Sequence, residues 1–389
     1  MRIALVHDYL SQDGGAERVL KAMHEIWPEA PIFVLFHDHD RIPYLNPERI
    51  RESFLARLPW IKTAYQWYLP WMPHATEDHD LRAYDVVISS SSVFAKGVIT
   101  SPSSLHISYC HTPPRFLWAD THKYVADLKY NFFIKIFLPG IIHRMRLWDK
   151  MSADRVDHFI ANSKTVAQRI TKYYRRESDV IYPPVETHKF TPSNELGDYF
   201  LAGGRLVPYK RLDLVVESFN RLKKPLIIFG DGPERERLLK HARPNIQFLG
   251  QITDDYKAQL MSRCLAFIHP QNEDCGITAI EAMSAGRPII AYDEGGATET
   301  VVAGETGVFF SMQNWESLLQ TINQFDPRNW HSHKIREHAE QYGAAVFKNK
   351  MQKFVGERYE EFKSGLNQGK LISLIQPHKG SDDQASGRG

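Results

Sequence analysis

Short hydrophobic runs alternate with amphipathic or polar stretches along most of the chain. The apolar runs of the first half are RIALVHDY, PIFVLFH, YDVVISSS, HISYCH and HFIANS, and those of the second half are YFLAGG, PLIIFGDG, IQFLG, LAFIHP, PIIAYDEGG and GVFF. Strand-length runs separated by helical windows are typical of βαβ units, which build parallel sheets. The pattern therefore predicts an α/β protein with two doubly wound, Rossmann-like domains that face each other across a cleft.

A proline-rich stretch interrupts this alternation near the middle of the chain. VIYPPVETHKFTP contains three prolines, which stiffen it as a linker between domains is stiffened. We predict a first domain over residues 1–185, a second over 186–344, and a helix at about 345–370 that packs back on the first. The polar, Gly/Ser-rich residues 377–389 are expected to be disordered. Ligands of such sheets bind at the carboxyl ends of the strands, so the cleft is the expected site.

Composition narrows the class of protein. The chain has 389 residues, 43% of them hydrophobic, which suffices for two separate cores. Its three cysteines show no CxxC spacing, so we expect neither a disulfide framework nor a zinc site, and we expect a reducing cytosol. MRIALVHDYL indicates a buried strand and not a signal peptide. No apolar run approaches the roughly 20 residues of a membrane-spanning helix.

The net charge of +2 is unevenly distributed. Residues 115–176 hold 13 Lys or Arg and 5 Asp or Glu, and LPWIKTAYQWYLPWMP and KYNFFIKIFLPGIIHRMRLW are rich in aromatic residues. Basic side chains among aromatic rings fit an anionic membrane surface, whereas the alternative is a solvated basic face over ordinary core aromatics. We expect a cytoplasmic protein that is peripheral on the inner face of the cytoplasmic membrane. No nucleic-acid-binding module is recognisable, so nucleic acid is not an expected partner.

Two glutamates flank the start of a predicted helix in EDCGITAIEAMSAG. Glu273 precedes that helix, Glu281 lies more than a turn inside it, and Gly276 stands where it should begin. The first amides of a helix lack internal partners and, with the macrodipole, form an anion site suited to a diphosphate. The carboxylates could then accept hydrogen bonds from the hydroxyls of two sugars, or they are simply a loop acid and an exposed helix acid. The amides of Gly276, Ile277 and Thr278 are predicted to bind the phosphates, and Cys275 is also expected to bind the substrate.

Positive charge is predicted beside this site. GGRLVPYKRLDLVVESF places Arg205 and Lys210 after a glycine turn, between a strand and a helix. A departing nucleoside diphosphate gains negative charge in the transition state, and cations stabilise that charge. The forked guanidinium and the compact ammonium are a suitable pair for it.

The stretch GQITDDYKAQL offers a way to recognise a base. Asp254 could accept hydrogen bonds from the ring N–H and amino group of guanine, while Lys257 could face its O6. The alternative is a helix start, because Thr253 is a good N-cap and acids are favourable in a first turn.

Six stretches in this order resemble the family-4 glycosyltransferases, which are retaining enzymes of the GT-B fold, and the resemblance covers nearly the whole chain. They are GGAERV (14–19), GRLVPYKR (204–211), FGDGPERERL (229–238), FLGQI (248–252), the E-x7-E run from Glu273 to Glu281, and GGATETVVAGETG (295–307). SYCHTPPRFLW and RVDHFIANS are further similar to the mannosyltransferase-like branch of bacterial surface-polysaccharide biosynthesis.

The resemblance implies a role for each matching residue. Arg205 and Lys210 match the pair that binds the donor diphosphate, Glu273 the acid that contacts the transferred sugar, and Glu281 the acid on the ribose. Gly14 and Gly15 match a flexible loop that closes over the phosphates. His111 matches a histidine that faces the donor sugar, although a packed strand-end histidine is the alternative. The residues expected to be catalytic are His111, Glu273, Arg205 and Lys210.

The implied reaction moves mannose from GDP-mannose onto a polyprenyl-diphosphate-linked saccharide in O-antigen or exopolysaccharide synthesis. A UDP-sugar donor and a noncatalytic nucleotide-sugar-binding scaffold are the alternatives. We expect no cofactor and no metal. Asp-x-Asp is the metal-binding signature typical of the other large glycosyltransferase fold, and here the DHD triplets at 38–40 and 78–80 lie away from the predicted phosphate loops. A dinucleotide-dependent oxidoreductase is disfavoured, since the first turn reads SQDGGAERV and lacks G-x-G-x-x-G.

Overall fold

Two parallel β-sheets organise the chain in a computed structural model that describes residues 1–119, 121 and 132–375. The first sheet has the strand order β3-β2-β1-β4-β5-β6-β7 and the second has the order β10-β9-β8-β11-β12-β13. The strands of the first sheet are β1 (Ile3–His7), β2 (Ile32–Val34), β3 (Ile50–Glu52), β4 (Val86–Ser91), β5 (Leu105–Cys110), β6 (His158–Ala161) and β7 (Ser178–Val180). Those of the second are β8 (Phe200–Gly203), β9 (Leu226–Phe229), β10 (Ile246–Gly250), β11 (Phe267–His269), β12 (Ile289–Tyr292) and β13 (Gly307–Phe310).

Helices connect these strands and cover the sheets. The described α-helices are α1 (Gly15–Ile26), α2 (Ile61–Ala64), α3 (Met72–Glu77), α4 (Phe132–Asp154), α5 (Lys164–Tyr174), α6 (Leu212–Leu222), α7 (Arg235–His241), α8 (Asp254–Arg263), α9 (Ile277–Ser284), α10 (Ala297–Thr300), α11 (Trp315–Gln324), α12 (Ser332–Glu340) and α13 (Ala344–Ile375). Short 3₁₀ turns occur at Pro47–Arg49, Phe54–Arg57, Tyr65–Trp71, Ala95–Gly97, Thr187–Lys189, Pro208–Lys210 and Pro327–Asn329. Within the described ranges, no helix is both long and apolar enough to cross a bilayer.

Each sheet is buried on both faces, as parallel sheets are. Along β1, Ile3 and Leu5 enter one hydrophobic cluster, whereas Ala4 and Val6 enter another on the opposite face. This two-residue period explains why the central strands read as continuous apolar runs in the sequence. The predicted fold class, α/β with two Rossmann-like sheets, is confirmed.

The two edge strands β3 and β7 were absent from the sequence prediction. Each has three residues, and side chains of both are solvent-accessible, including Arg51 and Glu52 of β3 and Asp179 of β7. An edge strand needs little apolar surface, so the hydrophobic pattern does not mark it.

The chain crosses between the sheets twice. It passes from β7 to β8 through residues 181–199, and it returns just before α13, where the Val185 amide donates to Tyr342 O and the Ala344 amide to Val185 O, both at 3.0 Å. Phe347 and Met351 of α13 then lie in the core of the first sheet, although this helix follows the second sheet in sequence. The predicted disordered stretch 377–389 lies outside the described residues.

Candidate active site

The loops that carry the predicted site residues meet between the two sheets. In the first sheet the strand order reverses between β1 and β4, and in the second it reverses between β8 and β11. Gly14 and Gly15 follow β1, Arg205 and Lys210 follow β8, and Glu273 follows β11. Such reversals are where doubly wound sheets bind ligands, so the fold places these residues on the two walls of one cleft.

Helix α9 presents free amides at its start. Gly276 has a left-handed backbone (φ 77°), and within the described part of the chain the amides of Gly276, Ile277 and Thr278 donate to no acceptor. A Cβ on Gly276 would also stand 3.2 Å from His269 Nε2, so glycine is required both by backbone conformation and by a close neighbour. The result is an anion site of the kind found at helix amino termini.

The side chain of Cys275 does not take part in this site. The residue is 5% exposed and its thiol packs in the core of the second sheet. The predicted contribution of Cys275 to substrate binding can therefore come from its backbone alone.

The glycine loop of the first domain faces helix α9 directly. Gly14 caps α1, Gly15 is its first residue, and a Cβ added to Gly15 would lie 3.1 Å from Ile277 Cδ1. A larger residue at this position would push the two walls apart, because the neighbouring isoleucine already fills the space. The structure thus brings the two predicted phosphate-binding elements together.

Glu273 and Lys210 form an ion pair beside the free amides. Gln271 donates to the same carboxylate at 3.1 Å. Burial raises the pKa of Glu273, but Lys210 and His269 together lower it by more, so the net shift is downward. The carboxylate is therefore ionised, while burial lowers the pKa of His269 to about 4 and keeps that ring neutral.

Arg205 is held much more loosely than Lys210. It is exposed, and its guanidinium lies 3.5 Å from both Gln12 Oε1 and Tyr209 Oη. Lys210, by contrast, is 9% exposed at the end of the turn Pro208–Lys210. The guanidinium is thus available to a ligand in the cleft, whereas the ammonium must share its charge with Glu273.

Glu281 is buried and not the exposed helix acid that was the alternative. Its Oε1 accepts from Lys257 Nζ at 3.1 Å and from Arg18 of the first domain at 3.0 Å. Lys257 also lies 3.2 Å from Asp254, whose side chain is 57% exposed. Lys257 is therefore committed to two carboxylates, and its predicted contact with a guanine stays a prediction. Thr253 caps α8, with its Oγ1 accepting from the Tyr256 amide at 3.3 Å.

His111 follows β5 on the wall formed by the first domain. Its Nε2 lies 2.8 Å from Ser90 Oγ, and Asn162 donates to its carbonyl at 2.8 Å. Burial, aided by the charge of His7, lowers the pKa of His111 to about 3, so the ring is neutral. Nearby Asp8 has a structural role, because its carboxylate accepts four backbone amides of residues 92–95.

Three contacts between the domains could not be predicted from the sequence. Besides Arg18 with Glu281, Arg169 of α5 pairs with Asp274. Glu299 of α10 accepts from the Lys164 and Thr165 amides at 2.7 Å and so caps α5 across the cleft. Arg18 lies inside the GGAERV motif, Asp274 inside the E-x7-E run and Glu299 inside GGATETVVAGETG, but none of these motifs indicates which residue is the partner.

No set of three His, Cys, Asp or Glu side chains in the described residues is arranged to hold a metal ion.

Two family models match consecutive parts of the chain. The model "Glycosyltransferase Family 4" matches residues 13–189, and "Glycosyl transferases group 1" matches residues 186–343.

The individual relatives have low sequence identity to this chain and match only parts of it. The chain is 28% identical over 217 residues to the O-antigen chain mannosyltransferase RfbU of Salmonella typhimurium, which covers 51% of this chain and 60% of that protein. It is 32% identical over 117 residues to a GDP-mannose-dependent alpha-mannosyltransferase of Mycolicibacterium smegmatis, covering 30% of this chain and 31% of that one. The chain thus spans little more than half the length of the curated relatives it matches first.

A solved structure extends the similarity of fold over both domains. HepE of Anabaena in complex with UDP superposes with a TM-score of 0.68 at 16% identity, covering 92% of this chain and all of that one.

Proposed function

The chain belongs to the family-4 glycosyltransferases of the GT-B fold, and from that premise we propose that it transfers mannose from GDP-mannose to a lipid-linked saccharide. One observation supports the proposal most directly. The free amides at the start of α9, the guanidinium of Arg205 and the Lys210–Glu273 ion pair all lie where the strand order of the second sheet reverses.

Each element of this wall has a distinct task in the proposal. The diphosphate binds the amides of Ile277 and Thr278 and the guanidinium of Arg205, while Lys210 neutralises the charge that develops as the nucleoside diphosphate leaves. Glu273, ionised beside Lys210, accepts hydrogen bonds from the transferred sugar. Glu281 is held by Lys257 and accepts from the ribose, which then replaces Arg18 as its partner.

The proposed mechanism is retaining. The acceptor hydroxyl attacks from the face that the diphosphate leaves, and the departing phosphate oxygen takes the proton of that hydroxyl. Catalysis then depends on positioning and on stabilisation of the phosphate charge. No carboxylate nucleophile is invoked, and no metal is assigned a role.

Two observations favour mannose as the sugar and guanine as the base of the donor. The curated relatives include proteins named as mannosyltransferases, one of them GDP-mannose-dependent. The accessible carboxylate of Asp254 also suits the two neighbouring N–H donors of guanine. A UDP-sugar is the competing donor, since HepE was solved with UDP.

The acceptor side of the proposal rests on an exposed aromatic surface. Trp60, Trp67 and Trp71 are 76%, 64% and 61% exposed. The surrounding residues 53–76 contain Arg57 and Lys62 but no Asp or Glu. Indoles next to basic side chains suit an anionic bilayer, where a polyprenyl-diphosphate-linked saccharide would be presented. We place the protein on the inner face of the cytoplasmic membrane, in surface-polysaccharide synthesis.

Nucleotide binding is tested by a thermal-shift panel of GDP, UDP, ADP and their sugars. A ligand at a hundred times its dissociation constant stabilises the fold by about 2.7 kcal/mol. We expect GDP and GDP-mannose to give the largest shifts, and stabilisation by UDP alone would overturn the choice of donor. Turnover is then measured with a lipid-linked acceptor, with and without EDTA. Binding without turnover on any acceptor would instead support the noncatalytic scaffold.

Membrane binding is tested by flotation with vesicles that contain phosphatidylglycerol. We expect the wild type to float at low salt and the Trp67→Ser/Trp71→Ser variant to remain at the bottom of the gradient. The matched control is Leu239→Ser/Met312→Ser, which removes exposed apolar side chains from the second domain. Equal flotation of the tryptophan variant and the wild type would contradict the proposed surface.

A further inference from the structure

Polar side chains connect His111 to the glycine loop through the interior of the first domain. Ser90 Oγ lies 2.8 Å from His111 Nε2 and 3.1 Å from His7 Nδ1. His7 Nε2 in turn lies 3.8 Å from Glu17 Oε1, and Glu17 Oε2 accepts from the Gly14 amide at 2.9 Å. Ser90 is fully buried and His7 and Glu17 are nearly so, so these contacts are shielded from bulk solvent.

The single hydroxyl proton of Ser90 couples the protonation states of the two histidines. A hydroxyl has one proton to donate, and here two ring nitrogens compete for it. If His7 Nδ1 carries a proton, it donates to Ser90, whose own proton then goes to His111 Nε2. His111 must in that case carry its proton on Nδ1. If His7 is neutral with its proton on Nε2, facing Glu17, the two hydrogen bonds of the Ser90 hydroxyl reverse and His111 is protonated on Nε2.

The surroundings of His7 decide between these states. The groups that face it are Glu17 from α1, Asp8 from its own strand, Ser90 from β4, and the His111 ring, whose centroid is 6.5 Å away. Burial lowers the pKa of His7, but the carboxylates of Glu17 and Asp8 and the backbone of Ser90 raise it by more, so the net shift is upward. Of the two rings, His7 is therefore the one that takes an extra proton more readily, because the pKa of His111 is lowered.

We propose that His7 and Ser90 are positioning residues that hold His111 as its Nδ1–H tautomer and so present a hydrogen-bond donor to the cleft. Within the described residues, Nδ1 of His111 donates to no protein group and is not among the buried unpaired atoms. The ligand of that donor is an oxygen of the donor sugar, a step that rests on the proposed function. In this arrangement His111 orients the sugar and does not abstract a proton.

The direct test is two-bond ¹H–¹⁵N correlation NMR of the histidine-labelled protein without ligand. Its cross-peak pattern distinguishes the Nδ1–H from the Nε2–H tautomer. We expect His111 to be Nδ1–H in the wild type and to lose this preference in Ser90→Ala. The matched control is Ser108→Ala on the adjacent strand, since this buried hydroxyl has no hydrogen-bond partner. An Nε2–H tautomer in the wild type, or an unchanged pattern in Ser90→Ala, would overturn the proposal.

A pH titration supplies a second measurement that needs no variant. His7 is protonated below its raised pKa, so the Nδ1–H tautomer of His111 should be lost as the pH rises through that pKa. A His111 signal that does not respond while His7 titrates would also overturn the proposal.

Turnover separates this proposal from the proposed function. In the wild type we expect kcat to fall as the pH rises through the pKa of His7, because the Nδ1–H tautomer is lost. In Ser90→Ala we expect kcat to be about tenfold lower, the order of one hydrogen bond, with the KM of the donor unchanged and without this dependence on pH. An equal kcat with an equal pH profile would contradict the positioning role. If the tautomer behaves as expected but no nucleotide sugar binds, the proposed function fails and the tautomer assignment stands.

Discussion

The two walls of the cleft share one fold but hold their polar groups differently. On the second domain, charged side chains lie at the cleft and are already paired, Lys210 with Glu273 and Lys257 with Glu281. On the first domain, Gly15 and His111 are uncharged, and the charged Arg18 and Arg169 are paired with acids of the second domain. Charges fixed before a ligand arrives stabilise an anion without reorganising, whereas neutral donors confer orientation. In the proposed function, the second wall therefore binds the donor and the first wall orients its sugar.

The largest effect is expected from Glu273→Gln. The change keeps the shape of the side chain but removes the carboxylate that is proposed to face the sugar, so kcat should fall by about 10²-fold or more, as for other transition-state contacts. GDP affinity should not weaken, because Lys210 is then released to the phosphates. Steady-state kinetics measure the change in kcat, and calorimetry measures the affinity for GDP. A loss of GDP affinity as large as the loss of kcat would indicate that Glu273 binds the nucleotide instead.

A smaller effect is expected from Gly276→Ala. A left-handed backbone costs an alanine about 1–2 kcal/mol, and the new Cβ meets His269. The amides of α9 should shift, and GDP affinity should fall roughly tenfold for a loss of about 1.4 kcal/mol. Gly304→Ala, also left-handed (φ 77°) but with open space around it, is the matched control for backbone strain. Equal losses in both variants would show that strain and not the anion site is responsible.

Arg18→Gln tests the single charge that crosses from the first wall to Glu281. Truncating a partly exposed ion pair across an interface typically changes affinity by a few-fold, about 1 kcal/mol or less. If the ribose replaces Arg18, GDP should bind Arg18→Gln as tightly as the wild type or slightly tighter. Lys21→Gln, on the same helix, is the control, and a clear loss of affinity would assign Arg18 to the ligand itself.

The effect of Glu299→Ala is expected on stability and not on ligand binding. It removes a carboxylate that caps α5 from the opposite domain, and loss of such a cap costs about 1 kcal/mol of unfolding free energy. Denaturant unfolding measures it, with Glu305→Ala, an exposed acid on the next loop, as control. Indistinguishable stabilities would show that the contact across the cleft is energetically neutral.

The sequence predicted the fold where strands are central, and it predicted local features such as the start of a helix. Buried strands such as β4 and β11 are marked by continuous apolar runs, and Gly276 marked the start of α9. The edge strands β3 and β7 carry no such signal, because their side chains need little burial.

The pairings across the cleft could not be predicted from the sequence for a different reason. Arg18 and Glu281 are 263 residues apart, and only the packed domains bring them together. The same holds for the burial of Glu281 and for the His7–Ser90–His111 contacts, which join the ends of three strands.

The central claim is that the second wall holds a pyrophosphate between the start of α9 and two cations. Its most direct test is calorimetric titration of GDP into the wild type, Arg205→Ala/Lys210→Ala, and Lys240→Ala, which removes an exposed charge of α7. We expect the double variant to lose GDP affinity by about 10²-fold or more, since charge-assisted hydrogen bonds contribute about 1.5–3 kcal/mol each, and Lys240→Ala to match the wild type. GDP affinity in the double variant equal to that of the wild type would contradict the claim.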